Sequence, residues 1–278
     1  MEEEDKVEVP APPKQFRSVT PPPAPRPRPM AEEEEKRARP GSSLAPRRKR
    51  TNIYVRIRPK PSEGFHGAEG ASSKRLVGWD QDKGSVTVES AGRQEVYSYP
   101  DAVVGPEVGQ QTSYDMLMGG LLEKFLAGYN CTFIAYGQTG TGKTHTMFGA
   151  PASLKSLGGV GATIHPDWGI FPRAVVSVME QLAGRKEGSY LLTASVVDLY
   201  MMGCFDLLND RTEVAYVGSE GRLSGYKELK LHSAGDVKLV VNTAMNHRVM
   251  SGTKCNETSS RSHCIATLTL TTYDKARD

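Results

Sequence analysis

The sequence predicts an α/β fold, a mixed central sheet flanked by helices, preceded by a disordered N-terminal arm. Three observations carry that prediction. Residues 131–136, CTFIAY, form a continuous apolar run too short for a helix, and a glycine-rich turn follows at once. Stretches of strand period and of helical period alternate through residues 51–278, with no internal repeat. The first fifty residues differ in kind, holding eleven of the eighteen prolines together with acidic runs at 2–5 and 32–35 and the basic run Arg47, Arg48, Lys49, Arg50.

Residues 1–50 have too little apolar surface to offset the entropy of ordering them, and they read as a disordered, partly polyproline II arm. The arm holds 12 Lys+Arg against 9 Asp+Glu, which accounts for the whole net charge of +3. The remaining 228 residues carry 23 charges of each sign, so composition announces no polyanion partner for the body. Two readings of the arm stand, a contact to an acidic surface and a solvated tail that aids solubility. The stretch PRRKR also resembles a nuclear import signal, a short pattern that arises easily by chance.

The body, residues 51–278, is read in order. In TNIYVRIRP, Ile53, Val55 and Ile57 alternate with Tyr54, Arg56 and Arg58, and Pro59 ends the strand. SVTVES at 85–90 and EVYSY at 95–99 are further short strands. From 111 to 127, Tyr114, Leu117, Leu121, Leu122, Phe125 and Leu126 fall on one helical face, weakened by Gly119 and Gly120 and stopped at Gly128. The run 131–136 is predicted as a central strand covered on both faces. Pro172 opens a helix to about Leu182, residues 191–200 form a second buried strand, and 236–249 are helical. Residues 211–235 are glycine-rich loops with short strands. Finally, 264–273 place Cys264, Ala266, Leu268 and Leu270 on one face of a strand, opposite mostly threonines.

The four cysteines, Cys131, Cys204, Cys255 and Cys264, make no C-x-x-C pair and lack zinc spacing, and so read as reduced structural thiols. No stretch reaches the roughly twenty apolar residues of a membrane span. The N-terminus MEEEDKVEVP has no hydrophobic signal region, so the expected compartment is intracellular.

Residues 137–144, GQTGTGKT, match G-x-x-x-x-G-K-[ST] at every fixed position. Glycines let successive backbone N–H groups curl toward phosphate oxygens, and the start of a helix adds more donors and a positive dipole end. Lys143 is expected to reach β- and γ-phosphates, and the Thr144 hydroxyl to bind Mg²⁺. A chance match is the competing reading. The placement between an apolar run and a helix argues against it.

Residues 256–263, NETSSRSH, offer an amide, three hydroxyls, a guanidinium and an imidazole just before a strand. That set suits a loop sensing a γ-phosphate and its magnesium, although taken alone such a stretch is more often a polar turn with helix-capping serines. Together with VRIRP (55–59), GYNCTFIAYGQTGTGKTHTM (128–147), GIFPR (169–173) and SVVDLYMMGCFDLL (195–208), in this order, it makes residues 51–278 resemble the kinesin motor domain.

The resemblance implies a kinesin-type P-loop fold that binds ATP and Mg²⁺. Arg56, Pro59 and His145 would frame the adenine, and Gln138, Thr139, Gly140, Thr141, Gly142, Lys143 and Thr144 would cradle the phosphates. Asn256, Ser259, Ser260 and Arg261 would form switch I, with Ser260 joining Thr144 near the metal. The implied activity is ATP hydrolysis coupled to movement on microtubules, with tubulin as partner. No membrane or nucleic acid is expected, and the implied location is cytoplasmic, on the cytoskeleton.

Two departures qualify this. The family's E-I-Y-N-E reads Asp198, Leu199, Tyr200, Met201, Met202, which removes a carboxylate and any ion pair made there. The family's switch II, D-x-x-G-x-E, does not occur after NETSSRSH, so the sequence reads as the N-terminal two-thirds of a motor domain, incomplete at the C-terminus. Such a polypeptide alone is expected to show little microtubule-stimulated hydrolysis. A non-hydrolysing, nucleotide-dependent regulatory protein and an incomplete gene product are the alternatives. Direction, cargo and oligomeric state depend on segments outside this sequence.

Overall fold

Strand β1 (Tyr54–Arg56) pairs in parallel with β5 (Ala102–Val104), joining Tyr54 to Ala102 and Arg56 to Val104. A computed structural model describes residues 51–59, 74–150, 164–186, 188–201, 203–219, 222–254 and 262–273, all within the unit Thr51–Asp278. The arm 1–50 and the switch I residues therefore lie outside the described residues.

Between those two strands, β2 (Lys74–Asp80), β3 (Ser85–Ser90) and β4 (Arg93–Ser98) form an antiparallel meander. Strand β3 has the bounds its alternation predicts. Strand β2, which the sequence reading did not assign, interrupts its own alternation with a register shift between Leu76 and Gly78.

The predicted helix from 111 to 127 is two helices, α1 (Gln110–Met118) and α2 (Leu121–Leu126), broken where Gly120 takes φ +72°. A left-handed residue cannot continue a right-handed helix, so the glycine pair divides the helix rather than merely weakening it. Helix α3 (Lys143–Met147) follows the glycine-rich turn. Helix α4 (Ile170–Leu182) carries Pro172 in its first turn, where a missing N–H costs nothing. The last helix, α5 (Ala234–Lys254), is longer at both ends than its sequence period predicts.

The largest sheet centres on β6 (Tyr190–Tyr200). On one edge it pairs along its whole length with β12 (Ser262–Thr272), from Tyr190 opposite Thr272 to Tyr200 opposite Ser262. On the other edge it pairs with β7 (Gly203–Asp206) and β11 (Leu229–Lys230), all antiparallel. The glycine-rich region supplies three more short strands, β8 (Thr212–Glu213), β9 (Ala215–Val217) and β10 (Arg222–Ser224). Leu192, Ala194 and Val196 of β6 face α4 and α5, joining Val175, Val178, Leu182, Val237, Val240 and Val241 in the main core. Val197, one residue out of phase, packs with Cys204 and Val214 on the opposite face. Strand β12 alternates as predicted, with Cys264, Ala266, Leu268 and Leu270 against the core.

One expectation fails. The run 131–136 is not a buried strand: it belongs to no ladder among the described residues, and Ile134 and Tyr136 are 77% and 99% exposed. Cys131, Phe133 and Ala135 are half-buried on the other side, so the run is extended and alternating but covered on one face only. Its apolar letters specify burial, whereas a ladder also needs a neighbouring backbone. None of the described strands is hydrogen-bonded to it. Met201 stands in the turn after β6 at φ +54° and is 79% exposed. Cys131, Cys204 and Cys264 are free thiols, as expected, and Cys255 lies outside the described residues.

Candidate functional site

The loop 137–142 has the backbone that its glycines permit. Gly140 and Gly142 take φ +81° and +99°, a region in which other residues are strained. The first helical hydrogen bond of α3 runs from Thr146 N–H to the Gly142 carbonyl at 2.8 Å. The N–H groups of Lys143, Thr144 and His145 thus precede the helix's own ladder and are available to a bound anion. Lys143 Nζ bends back over the loop, donating to the carbonyls of Gly137 and Gln138 at 2.8 Å each. Thr141 Oγ1 donates to the Gln138 carbonyl at 2.8 Å and tightens the same turn. The Thr144 side chain belongs to an exposed residue at the mouth of this cradle. A curled backbone, one ammonium and one exposed hydroxyl make a donor set suited to a polyphosphate and a hard divalent cation.

The cradle is seated by a close backbone approach. A Cβ at Gly169, the residue before α4, would come within 2.6 Å of the Met147 carbonyl carbon and the Phe148 nitrogen, so only glycine fits there. The Arg173 guanidinium, 2% exposed, locks the same junction. Its Nε donates to the Trp168 carbonyl at 2.8 Å, its Nη2 to His165 and Pro166 carbonyls at 3.0 and 2.6 Å, and its Nη1 to Gln111 Oε1. Burial lowers its pKa, yet these four acceptors keep the cation satisfied.

Beside the loop, the structure brings Arg56 and His145 together. Both bond to Gln110, the first residue of α1 and only 7% exposed. Arg56 Nη1 donates to Gln110 Oε1 at 2.9 Å and to Thr146 Oγ1 at 3.2 Å. Gln110 Nε2 donates to the His145 carbonyl at 2.7 Å and reaches His145 Nδ1 at 3.2 Å. Desolvation, then the neighbouring Arg56 charge, lower the His145 pKa and favour a neutral ring. Pro59 is exposed. Arg58 donates to the Gly140 carbonyl and ties β1's end to the loop.

Sequence reasoning missed Arg58 and Gln110. A signal for Arg58 existed, because alternation puts it on the same side as Arg56. None existed for Gln110, since glutamine in a first helical turn is ordinarily solvated. Asn256, Ser259, Ser260 and Arg261 lie outside the described residues. The strand that leads toward them starts at Ser262. Opposite Cys264 of that strand stands Asp198, 1% exposed, with Arg211 Nη1 at 3.5 Å and Arg248 Nε at 3.9 Å. The Asp that replaces the family's Glu therefore still sits between two cations.

Fold and site together define a P-loop nucleotide-binding protein of mixed α/β architecture. The family model for the kinesin motor domain matches residues 26–278. Kinesin-like protein cut7 of Schizosaccharomyces pombe is 32% identical over 231 residues, 80% of this chain and 20% of that protein. Kinesin-like protein Klp61F of Drosophila melanogaster is 33% identical over 235 residues, 81% of this chain and 21% of its own length. A solved structure described as a fast kinesin, with implications for ATPase mechanism and interactions with microtubules, aligns with a TM-score of 0.64 at 27% identity, covering 78% of this chain and 58% of that one. The chain belongs to the kinesin motor domain family, and it spans about a fifth of the length of those two relatives.

Proposed function

We propose that this chain binds ATP with Mg²⁺ at residues 137–144 and serves as part of a microtubule motor ATPase. The observation that carries the reading is the cradle: left-handed Gly140 and Gly142, with Lys143 folded over the loop carbonyls at the entrance to α3. An arriving triphosphate would draw the Lys143 ammonium from the Gly137 and Gln138 carbonyls onto β- and γ-oxygens, with the loop N–H groups holding the α- and β-phosphates. The Thr144 hydroxyl, with Ser260, would hold the magnesium, whose chemistry is to neutralise charge on the transferred phosphoryl group. Arg56, Pro59 and His145 would take the base. Asn256, Ser259, Ser260 and Arg261 would supply the hydroxyls and guanidinium that read the γ-phosphate. Tubulin is the proposed partner and the microtubule cytoskeleton the proposed location, and kinship with cut7 and Klp61F supports both. No helix among the described residues is long and apolar enough to cross a membrane.

The test is equilibrium binding of a fluorescent ATP analogue to the full chain with and without Mg²⁺. Lys143→Ala removes a charge-assisted contact and is expected to weaken binding by at least about tenfold. Equal affinity in wild type and Lys143→Ala would overturn the assignment. Microtubule co-sedimentation in the presence and absence of ATP tests the partner.

A further inference from the structure

We infer that Gln110 is a positioning residue that fixes the base-facing pair, Arg56 and His145, and thereby sets how strongly the site prefers a nucleoside triphosphate over a bare polyphosphate. This rests on the reading of 137–144 as a triphosphate site with the base beside Arg56, Pro59 and His145. The amide of Gln110 caps no helix, since the residue before α1 is Gly109 and makes no side-chain cap. All its polar bonds go to two other elements. Oε1 accepts from Arg56 of β1, and Nε2 donates to the His145 carbonyl of α3 and lies against the imidazole of the same residue.

The orientation of that amide has only one solution. Flipped, it would set an NH₂ against the Arg56 donor and an oxygen against the His145 carbonyl, trading attractions for two repulsions in a partly buried site. Gln110 Nε2 lies 3.2 Å from His145 Nδ1 and 3.5 Å from His145 Nε2, so the amide stands against the ring face rather than on the in-plane lone pair of either nitrogen. One buried side chain thus holds a guanidinium through Oε1 and, through Nε2, the backbone carbonyl and the ring of His145. Arg56 is held from a second side by Thr146 Oγ1 at 3.2 Å, so Gln110 is the sole side chain among the described residues bonded to both members of the pair.

The experiment compares, in the full chain, dissociation constants for ATP and for inorganic tripolyphosphate in wild type and in Gln110→Met, a variant of similar length without polar atoms. Losing the shared hydrogen bonds is expected to weaken ATP about fivefold or more and to leave tripolyphosphate unchanged. If both ligands weaken equally, Gln110 merely supports the fold. If neither does, it does not position the base. Either result overturns the inference while leaving the phosphate cradle standing. A wild type that binds tripolyphosphate as tightly as ATP removes the base site and this inference with it. Gln110→Asn, which keeps the amide but shortens its reach by one methylene, is the second variant: it is expected to weaken ATP and leave tripolyphosphate at its wild-type affinity, and wild-type ATP affinity in it overturns the inference.

Discussion

Strand β6 and the run 131–136 are both apolar segments that the sequence predicts as buried strands, and the molecule treats them in opposite ways. Strand β6 has backbone partners on both edges, and its side chains are covered on both faces, Val196 at 0% exposure on one and Val197 at 5% on the other. In the run 131–136 half-buried and exposed residues alternate instead, and no backbone–backbone hydrogen bond ties it to another described residue. Its anchors are Phe133, packed against Val104, Tyr114, Leu117 and Ile170, and the Cys131 thiol, 3.5 Å from the Leu121 carbonyl. Yet this looser segment leads directly into the loop that holds Lys143. Hydrophobic pattern secures one face of a segment, whereas a ladder secures its backbone, and the candidate site is built on the segment that has only the first.

The largest expected difference between the two is in amide hydrogen exchange. Amides in the interior of β6 open only with the sheet, whereas those of 131–136 need no such opening. Protection in β6 should exceed that in the run by about a thousandfold or more. Comparable protection would break the comparison, because the run would then have backbone partners in solution.

Most of the fold was legible because most of it is local. The alternation in SVTVES set β3 to the residue, the threonine and apolar faces of β12 were assigned correctly, and Pro172 marked the first turn of α4. What was not legible depends on distant chain. Whether 131–136 finds a ladder is decided by which backbone lies beside it, and no pattern within six residues encodes that. The burial of Gln110 is likewise a tertiary fact, created when β1 and α3 converge on the start of α1. In the site, GQTGTGKT was readable because phosphate binding is performed largely by local backbone geometry, whereas the Arg56–Gln110–His145 contact joins three segments distant in sequence.

A second difference is pH-dependent and acts on the paired half. Cys264 of β12 is partly buried as a residue, but its sulfur lies in dense surroundings, and burial pushes the thiol from 9.0 up to about 11, with Arg248 lowering and Asp198 raising it. The folded state thus keeps the proton longer than the unfolded one. Its contribution is fully present below pH 9 and is lost as pH rises from 9 through 11, a loss of at most about 2.7 kcal/mol at the end of that window. Urea unfolding at pH 8 and at pH 10.5 should show this decline in wild type and a clearly smaller one in Cys264→Ala. Equal declines in the two would mean the thiol does not titrate with folding.

The smallest effect tests the comparison most directly. Ile134→Thr keeps a β-branched side chain suited to extended backbone and removes apolar surface that is already 77% exposed, so it should change stability by less than about 0.5 kcal/mol. The matched change on the paired side, Val196→Thr, puts a hydroxyl at a fully buried position facing α4 and α5 and should cost about 1–3 kcal/mol. If Ile134→Thr costs as much as Val196→Thr, the exposed face of the run is covered in solution, and the two-faced burial predicted from CTFIAY holds. The loop with Lys143 would then rest on a strand buried like β6. If the change is neutral, the cradle is carried by a segment held from one side, and the geometry of 137–144 must come from its own glycines and from the Gly169 and Arg173 junction behind it.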